Sequence, residues 1–196
     1  MSLRLMIPSL LGQMIANPGL FEQQFLEFLE KGGYDTKGVA KTIAKVEYYN
    51  FKTMAGLQAQ TFFTGTYVER ETNIPGSDFV RPKGEHFVIY AIKIEEAAGA
   101  ATFDLTDWVP GANSVYAKNA NISVKINGVD RLLTIPLASA LQDSTTADQG
   151  LIMLDEPIIW GGEVKAEVSV SSRDALVRGA ANSWLRITLV GIGLVS

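Results

Sequence analysis

From about Pro8 to Gly56 apolar side chains recur at helical spacing, and from Leu57 onward they recur at every second position, so a helical prefix precedes a long β region. Three helical pieces are predicted in the prefix. The first, from about Pro8 to Ala16, gathers Leu10, Leu11, Met14 and Ile15 into one apolar stripe. The second opens at Asn17-Pro18, an N-cap followed by a first-turn proline, carries Phe21, Phe25, Phe28 and Leu29, and stops at Gly32-Gly33. Its aromatic side demands a partner surface. The third begins near Asp35 or Thr36, with Val39, Ile43 and Val46 inward and Lys37, Lys41 and Lys45 outward, and fades through Tyr48, Tyr49 and Phe51 toward Gly56.

In the β region, Leu57 to Arg70 is rich in Thr, Phe, Tyr and Val, with Gly65 the expected bend, and the turn residues Asn73 to Gly76 follow it. Phe87 to Ile94 is apolar on both faces, as expected of a strand covered on each side. Asn127-Gly128 predicts a two-residue type I′ hairpin in which Ile126 faces Val129, Lys125 faces Asp130, Val124 faces Arg131 and Ile122 faces Leu133. Leu151 to Leu154 and Pro157 to Trp160 read as strands before Gly161-Gly162. Val164, Ala166, Val168 and Val170 then alternate with Glu163, Lys165, Glu167 and Ser169, leaving one wet face. Trp184 to Val195 is largely apolar at odd and even positions alike, so it is central in the core or buried against another subunit.

Roughly eight strands in about 140 residues predict a mainly β protein, an antiparallel jelly-roll sandwich with a helical N-terminal arm. The uneven loops at 71–85, 98–112, 136–150 and 171–183 favour the jelly roll over an immunoglobulin-type sandwich. The expected domains are a helical arm over 1–55 and a β-sandwich over 56–196.

Composition narrows the function classes. At 196 residues the chain suffices for one good core. Charged residues make up 19%, below the roughly 25% of a typical soluble domain, so less of the surface is built for water alone. The net charge is -4, and the first 60 residues carry six basic against five acidic side chains, which disfavours direct nucleic-acid contact. With no cysteine, packing must supply the stability. The opening run of Leu3, Leu5, Met6 and Ile7 through Ile15 is too short and too broken by Pro8 and Gly12 to span a bilayer, and is expected to be a retained amphipathic arm.

Candidate chemistry is sparse. The only histidine, His86, opens a strand, where contact with water is expected, so no serine or zinc chemistry is predicted and no cofactor. Glu95 with Glu96 and Asp155 with Glu156 are adjacent on strands and point to opposite faces, so they cannot converge on one substrate bond and are expected to be solvated at strand ends. Gly191 and Gly193 read as strand glycines that admit a close neighbour. Asp104, Asp107, Trp108 and Asn113 form a possible ligand loop, in which the tryptophan stacks on a sugar or plugs the end of a sandwich. An enzyme is not expected.

The layout of a helical arm, a β region with Pro157-Ile158-Ile159-Trp160-Gly161-Gly162 before a strand, and Trp184 to Ile192 as the closing strand resembles the small jelly-roll coat proteins of icosahedral viruses, especially tailless bacteriophages. The resemblance implies a virion subunit, assembled in the host cytoplasm, whose partners are copies of itself and other virion proteins, and whose arm reaches neighbouring subunits or a membrane surface. Leu3, Leu5, Ile7, Leu10, Leu11, Met14, Ile15, Phe21 and Phe25 are then the expected subunit-interface residues. A carbohydrate- or receptor-binding sandwich that uses the Trp108 loop is the alternative.

Overall fold

The computed structural model describes residues 16–36, 42–53, 58–65, 68, 71–74, 78–98, 109–110, 120–136, 150–172 and 183–195. Helix α1 (Pro18–Lys31) is followed by strands β1 (Thr42–Thr53), β2 (Ala59–Phe62), β3 (His86–Ala98), β4 (Val109–Pro110), β5 (Ala120–Ile126), β6 (Val129–Pro136), β7 (Leu151–Trp160), β8 (Ala166–Ser172) and β9 (Ser183–Val195).

All pairing among the described strands is antiparallel. One sheet runs β1-β9-β3 with β7 and the short β4 sharing the far side of β3, and the other runs β2-β8-β5-β6. The pairing is nested: β1 with β9, β2 with β8, β3 with β7, β5 with β6. A two-stranded ribbon paired in this way and wound over itself, so that β9 meets β3 and β8 meets β5, is the jelly roll expected from the sequence. Between the sheets lie Tyr48, Phe87, Ile92, Leu154, Trp160, Ile187 and Leu189 from one side and Phe62, Ile122, Val124, Val168 and Val170 from the other.

Local chemistry explains α1. The Asn17 side chain accepts from the Leu20 amide at 3.4 Å, and Pro18 fills the first turn. At the other end Gly33 adopts φ +81°, Gly33 N–H donates to Glu30 O at 2.9 Å, and Tyr34 N–H donates to Leu29 O at 3.1 Å, the bonding of a Schellman motif. Phe21, Phe25 and Leu29 pack on Val88, Tyr90, Ala91, Val190, Ile192 and Leu194, the face of the first sheet turned away from the sandwich core. The double-sided apolarity of β3 and β9 thus has an internal cause: sheet on one side, helix on the other. A one-residue bulge between Ile89 and Ala91 lets Tyr90 and Ala91 both face α1 before alternation resumes at Ile92.

Two expectations are corrected. The third helical piece is strand β1, hydrogen-bonded to β9 from Thr42↔Val195 to Thr53↔Trp184. Residues 42–53 therefore belong to the β unit rather than to the arm; Lys37, Val39 and Lys41 lie outside the described residues. β-branched and aromatic residues fill this stretch, and a long ladder outweighs a weak i, i+4 spacing.

The second correction is the hairpin register. Asn127 and Gly128 have φ 52° and 75°, as a type I′ turn requires, and Ile126↔Val129 and Lys125↔Asp130 pair as expected. Beyond them Val124 faces Leu132, not Arg131, and Ile122 faces Ile135, not Leu133. Each shift adds one residue to β6. Val124 and Ile122 are fully buried, and the bulges put apolar Leu132 and Ile135 against the core while Arg131 stays in water.

Candidate functional site

Of the expected interface residues, Leu3, Leu5, Ile7, Leu10, Leu11, Met14 and Ile15 lie outside the described residues, as do Asp104, Asp107, Trp108 and Asn113. Phe21 and Phe25 are described, and their surface is covered by the chain's own sheet, at 2% and 4% exposure. That part of the apolar stripe is sealed inside one protomer. Among the described residues the exposed large apolar side chains are Leu20 at 44%, Val129 at 53% and Met153 at 51%.

The β1 edge of the sandwich is closed by polar side chains. Asn73 accepts from the Tyr49 amide and donates to Glu47 O, both at 2.7 Å, and the Thr72 hydroxyl donates to Tyr49 O at 2.7 Å. Buried Asn50 donates to Glu71 O at 3.1 Å and accepts from the Phe63 amide at 2.9 Å. With the Asn50–Thr72 bridge, these bonds occupy the side of β1 on which no described strand pairs with it. On the opposite sheet, the two bulges and Pro136 interrupt the regular ladder edge of β6.

Next to this edge, Lys52 Nζ donates to the carbonyls of Thr61 and Thr64 at 3.0 and 2.6 Å, stapling β1 to the turn at Gly65, where φ is +87°. Burial lowers the Lys52 pKa, opposed by Glu71, and burial raises that of Glu71, opposed by Lys52. Perturbed pairs of this kind mark active sites elsewhere. Here the ammonium is committed to two carbonyls, a structural use. Because the folded state holds the Glu71 proton more tightly than the unfolded chain, its contribution to stability is present below about pH 4.5 and is lost as pH rises through the raised value. Glu71→Gln removes that term, so its thermal midpoint relative to wild type should rise from pH 4 to pH 7; Glu71 is partly exposed, and the gain is below ~1 kcal/mol. A flat difference across that range would refute the assignment.

The most densely functionalised place is the end of the sandwich where residues 78–86 cross the turn after β7. Val80 bridges Lys165, Glu163 N–H donates to Arg81 O at 2.9 Å, and Gly162 passes so close that a Cβ there would collide with the Pro82 carbonyl. Arg81 is 1% exposed, with its guanidinium 5.2, 5.4 and 5.8 Å from the ring centroids of Tyr48, Phe87 and Trp160. Its Nη2 lies 3.7 Å from Glu85 Oε2, and Nη1 approaches Trp160 O at 3.5 Å. Burial pulls the guanidinium below its ordinary pKa, and Tyr48 and Glu85 oppose the shift. Trp160 is itself fixed by its indole N–H donating to Val164 O at 2.8 Å. Nothing in the spacing of residues around Arg81 distinguishes it in the sequence from an ordinary loop cation.

His86 is also corrected: it is 6% exposed, not in contact with water. Its Nε2 is 2.8 Å from Asp35 O and its ring meets the Tyr34 ring edge-on at 5.2 Å, so the segment after α1 lies over it. Glu95 likewise is no solvated strand end. Arg186 holds it through Nε and Nη2 at 2.7 and 2.6 Å, and Lys93 Nζ adds 3.0 Å. Asp155 and Glu156 are exposed, as expected. Among the described residues no cluster of three metal-ligating side chains occurs, and no helix is long and apolar enough to cross a membrane.

No protein-family model matches the sequence, and no curated protein matches it. Among solved structures, dimeric latent PorU from Porphyromonas gingivalis is similar over 82% of this chain and 14% of its own, at 10% identity and a TM-score of 0.27. The chain spans about a seventh of that protein's length, and a likeness of this size bears on neither fold nor function.

Proposed function

We propose that this chain is a structural subunit of a virus-like shell, a capsid protein that assembles with copies of itself. The observation that carries the reading is the nested strand order, β1-β9-β3-β7 against β2-β8-β5-β6, preceded by an N-terminal helix docked on the outer face of the first sheet. Jelly rolls of this order serve as shell walls, lectins and cupins. A wall subunit needs a rigid slab with blunted edges and a detachable apolar arm. The polar side chains along β1 and the bulges on β6 disfavour strand-to-strand addition at those two edges, which favours contact through faces and the arm.

Since α1 buries Phe21, Phe25 and Leu29 inside its own protomer, the assembling surface is assigned to the stripe of Leu3, Leu5, Ile7, Leu10, Leu11, Met14 and Ile15. Burying several such side chains at about 1.5–3 kcal/mol each offsets the cost of ordering an arm between subunits. Removing residues 1–16 is expected to leave the β-sandwich folded and to abolish higher-order particles. Light scattering after size exclusion, with electron microscopy of the peak, reads the outcome. Particles unchanged by the truncation, or a full chain that stays monomeric at high concentration, would overturn the shell reading.

A further inference from the structure

We propose that Asn127-Gly128 is a self-modifying site, at which Asn127 loses its side-chain amide to the Gly128 backbone nitrogen and the isoaspartate that forms loosens β6 from the sandwich. The inference rests on the β5–β6 hairpin and is independent of the shell reading. At the hairpin tip Ile126 pairs with Val129, Lys125 pairs with Asp130, and the Asn127 N–H donates to Lys165 O at 2.8 Å. Among the described residues, neither the Gly128 N–H nor the Asn127 side-chain amide has a hydrogen-bond partner. Residues 127–131 are exposed, and nothing lies within 4 Å of where a Gly128 Cβ would be. The attacking nitrogen and the carbon it attacks are therefore adjacent in the chain, uncommitted and open to water.

The reaction needs only solvent. The Gly128 nitrogen gives its proton to water and bonds to Asn127 Cγ; the Cγ–Nδ2 bond then breaks, Nδ2 takes up a proton and leaves as ammonia, and a cyclic imide remains. Water opens the imide at either carbonyl. Attack at Cγ gives aspartate, and attack at the main-chain carbonyl gives isoaspartate, in which the main chain runs through Cβ and Cγ. Ring closure requires rotation about the Asn127 Cα–C bond out of the type I′ geometry, and Gly128, with φ 75° and no Cβ to clash, can follow it. Because the ammonia is lost, every opening of the turn that reacts is kept, and product accumulates although the open turn is rarely visited.

Asn127 is the one asparagine in the sequence that precedes glycine. Asn17 precedes Pro18, which has no N–H to attack with, and both side-chain polar atoms of Asn50 and of Asn73 are hydrogen-bonded. Asn121 lies in the β5–β8 ladder and is followed by β-branched Ile122. Asn113, Asn119 and Asn182, outside the described residues, precede Ser114, Ala120 and Ser183, each with a Cβ that hinders the attack.

The two products differ in effect. Aspartate keeps the turn, since Asp-Gly also suits type I′, and adds one negative charge near Lys125 and Asp130. Isoaspartate adds an atom to the main chain between Ile126 and Val129, which a two-residue turn cannot absorb. Among the described strands β6 is paired to β5 alone, through a ladder broken by two bulges, so it is the strand that comes loose. β5 stays fixed by its ladder with β8, unbroken from Ala120↔Ser172 to Ile126↔Ala166.

Ageing the full chain at about pH 8 and about 37 °C, with peptide mapping by mass spectrometry along the time course, tests the site. Asn127 should convert before any other asparagine, with a mass gain of about 1 Da and both isomers present. In the isoaspartate fraction, amide hydrogen exchange over 129–136 should lose protection by about tenfold or more while β5 and β8 keep theirs. Asn127→Gly, whose Gly-Gly turn suits type I′ and has no amide to lose, should age with β6 protected, and fresh Asn127→Asp should match fresh wild type. An Asn127 that stays intact, another asparagine converting first, or an isoaspartate fraction with β6 still protected overturns the proposal, as does the same loss in aged Asn127→Gly or in fresh Asn127→Asp. Should the variants not fold, the aspartate and isoaspartate forms of aged wild type are separated by chromatography and compared directly, and equal β6 protection in the two refutes it.

Discussion

Gly191→Ala is expected to prevent folding, or to lower the urea midpoint by the equivalent of at least ~3 kcal/mol, the upper end of ordinary overpacking costs. Gly191 sits in β9, the strand between β1 and β3, opposite Val46 on one side and Ile89 on the other. A Cβ there would collide with the Val88 carbonyl oxygen and come within 2.6 and 2.7 Å of the Phe87 ring. The carbonyl is backbone in a central ladder and cannot rotate away. Relief would require β9 and β3 to separate, which breaks both the sandwich core and the seat of α1. Gly193→Ala is the internal control: its Cβ would meet Val46 Cγ2 at 3.0 Å and Val195 Cγ1 at 3.2 Å, side-chain methyls that can shift. A Gly191→Ala protein as stable as the Gly193→Ala protein would show that the β3–β9 approach is looser than these distances require.

The second large effect lies at Arg81. Arg81→Ala removes a cation held by three aromatic faces, leaves a void beside Trp160, and deprives the buried Glu85 carboxylate of its 3.7 Å neighbour; a loss of ~3–5 kcal/mol is expected from urea unfolding. Pairing Arg81→Met with Glu85→Gln should recover most of that loss, because a volume-matched apolar side chain fills the box and no unpaired charge remains. The comparison separates packing from charge. If Arg81→Ala costs less than ~1 kcal/mol, the guanidinium is more hydrated than its 1% exposure indicates, and its role at the end of the sandwich falls with it.

Both sites show why a fold can be more legible than its critical contacts. Gly191 reads from sequence as a strand glycine with a close neighbour, but which neighbour depends on the register between β9 and β3. Arg81 is one cation in a loop until the turn after β7 is folded over it. The same distance from local chemistry explains His86, whose burial is caused by Tyr34 and Asp35 from the far side of the helix junction. Phe21 and Phe25 announce an apolar face without saying whether it is covered by the same chain or another.

The features determined by the sequence alone are those decided within a few residues. Asn17-Pro18 and Gly32-Gly33 bound α1 because capping bonds are local, Asn127-Gly128 makes its turn because positive φ is cheap there, and the alternation of β8 marks its buried and wet faces. The tertiary structure alone decided that residues 42–53 form a strand, since their ladder partner is the last strand of the chain. It also decided the bulges that retune β6 and β3, and that α1 covers the outer face of its own sheet. Each of these is a competition between a weak local preference and burial against residues distant in sequence, and the larger buried area wins.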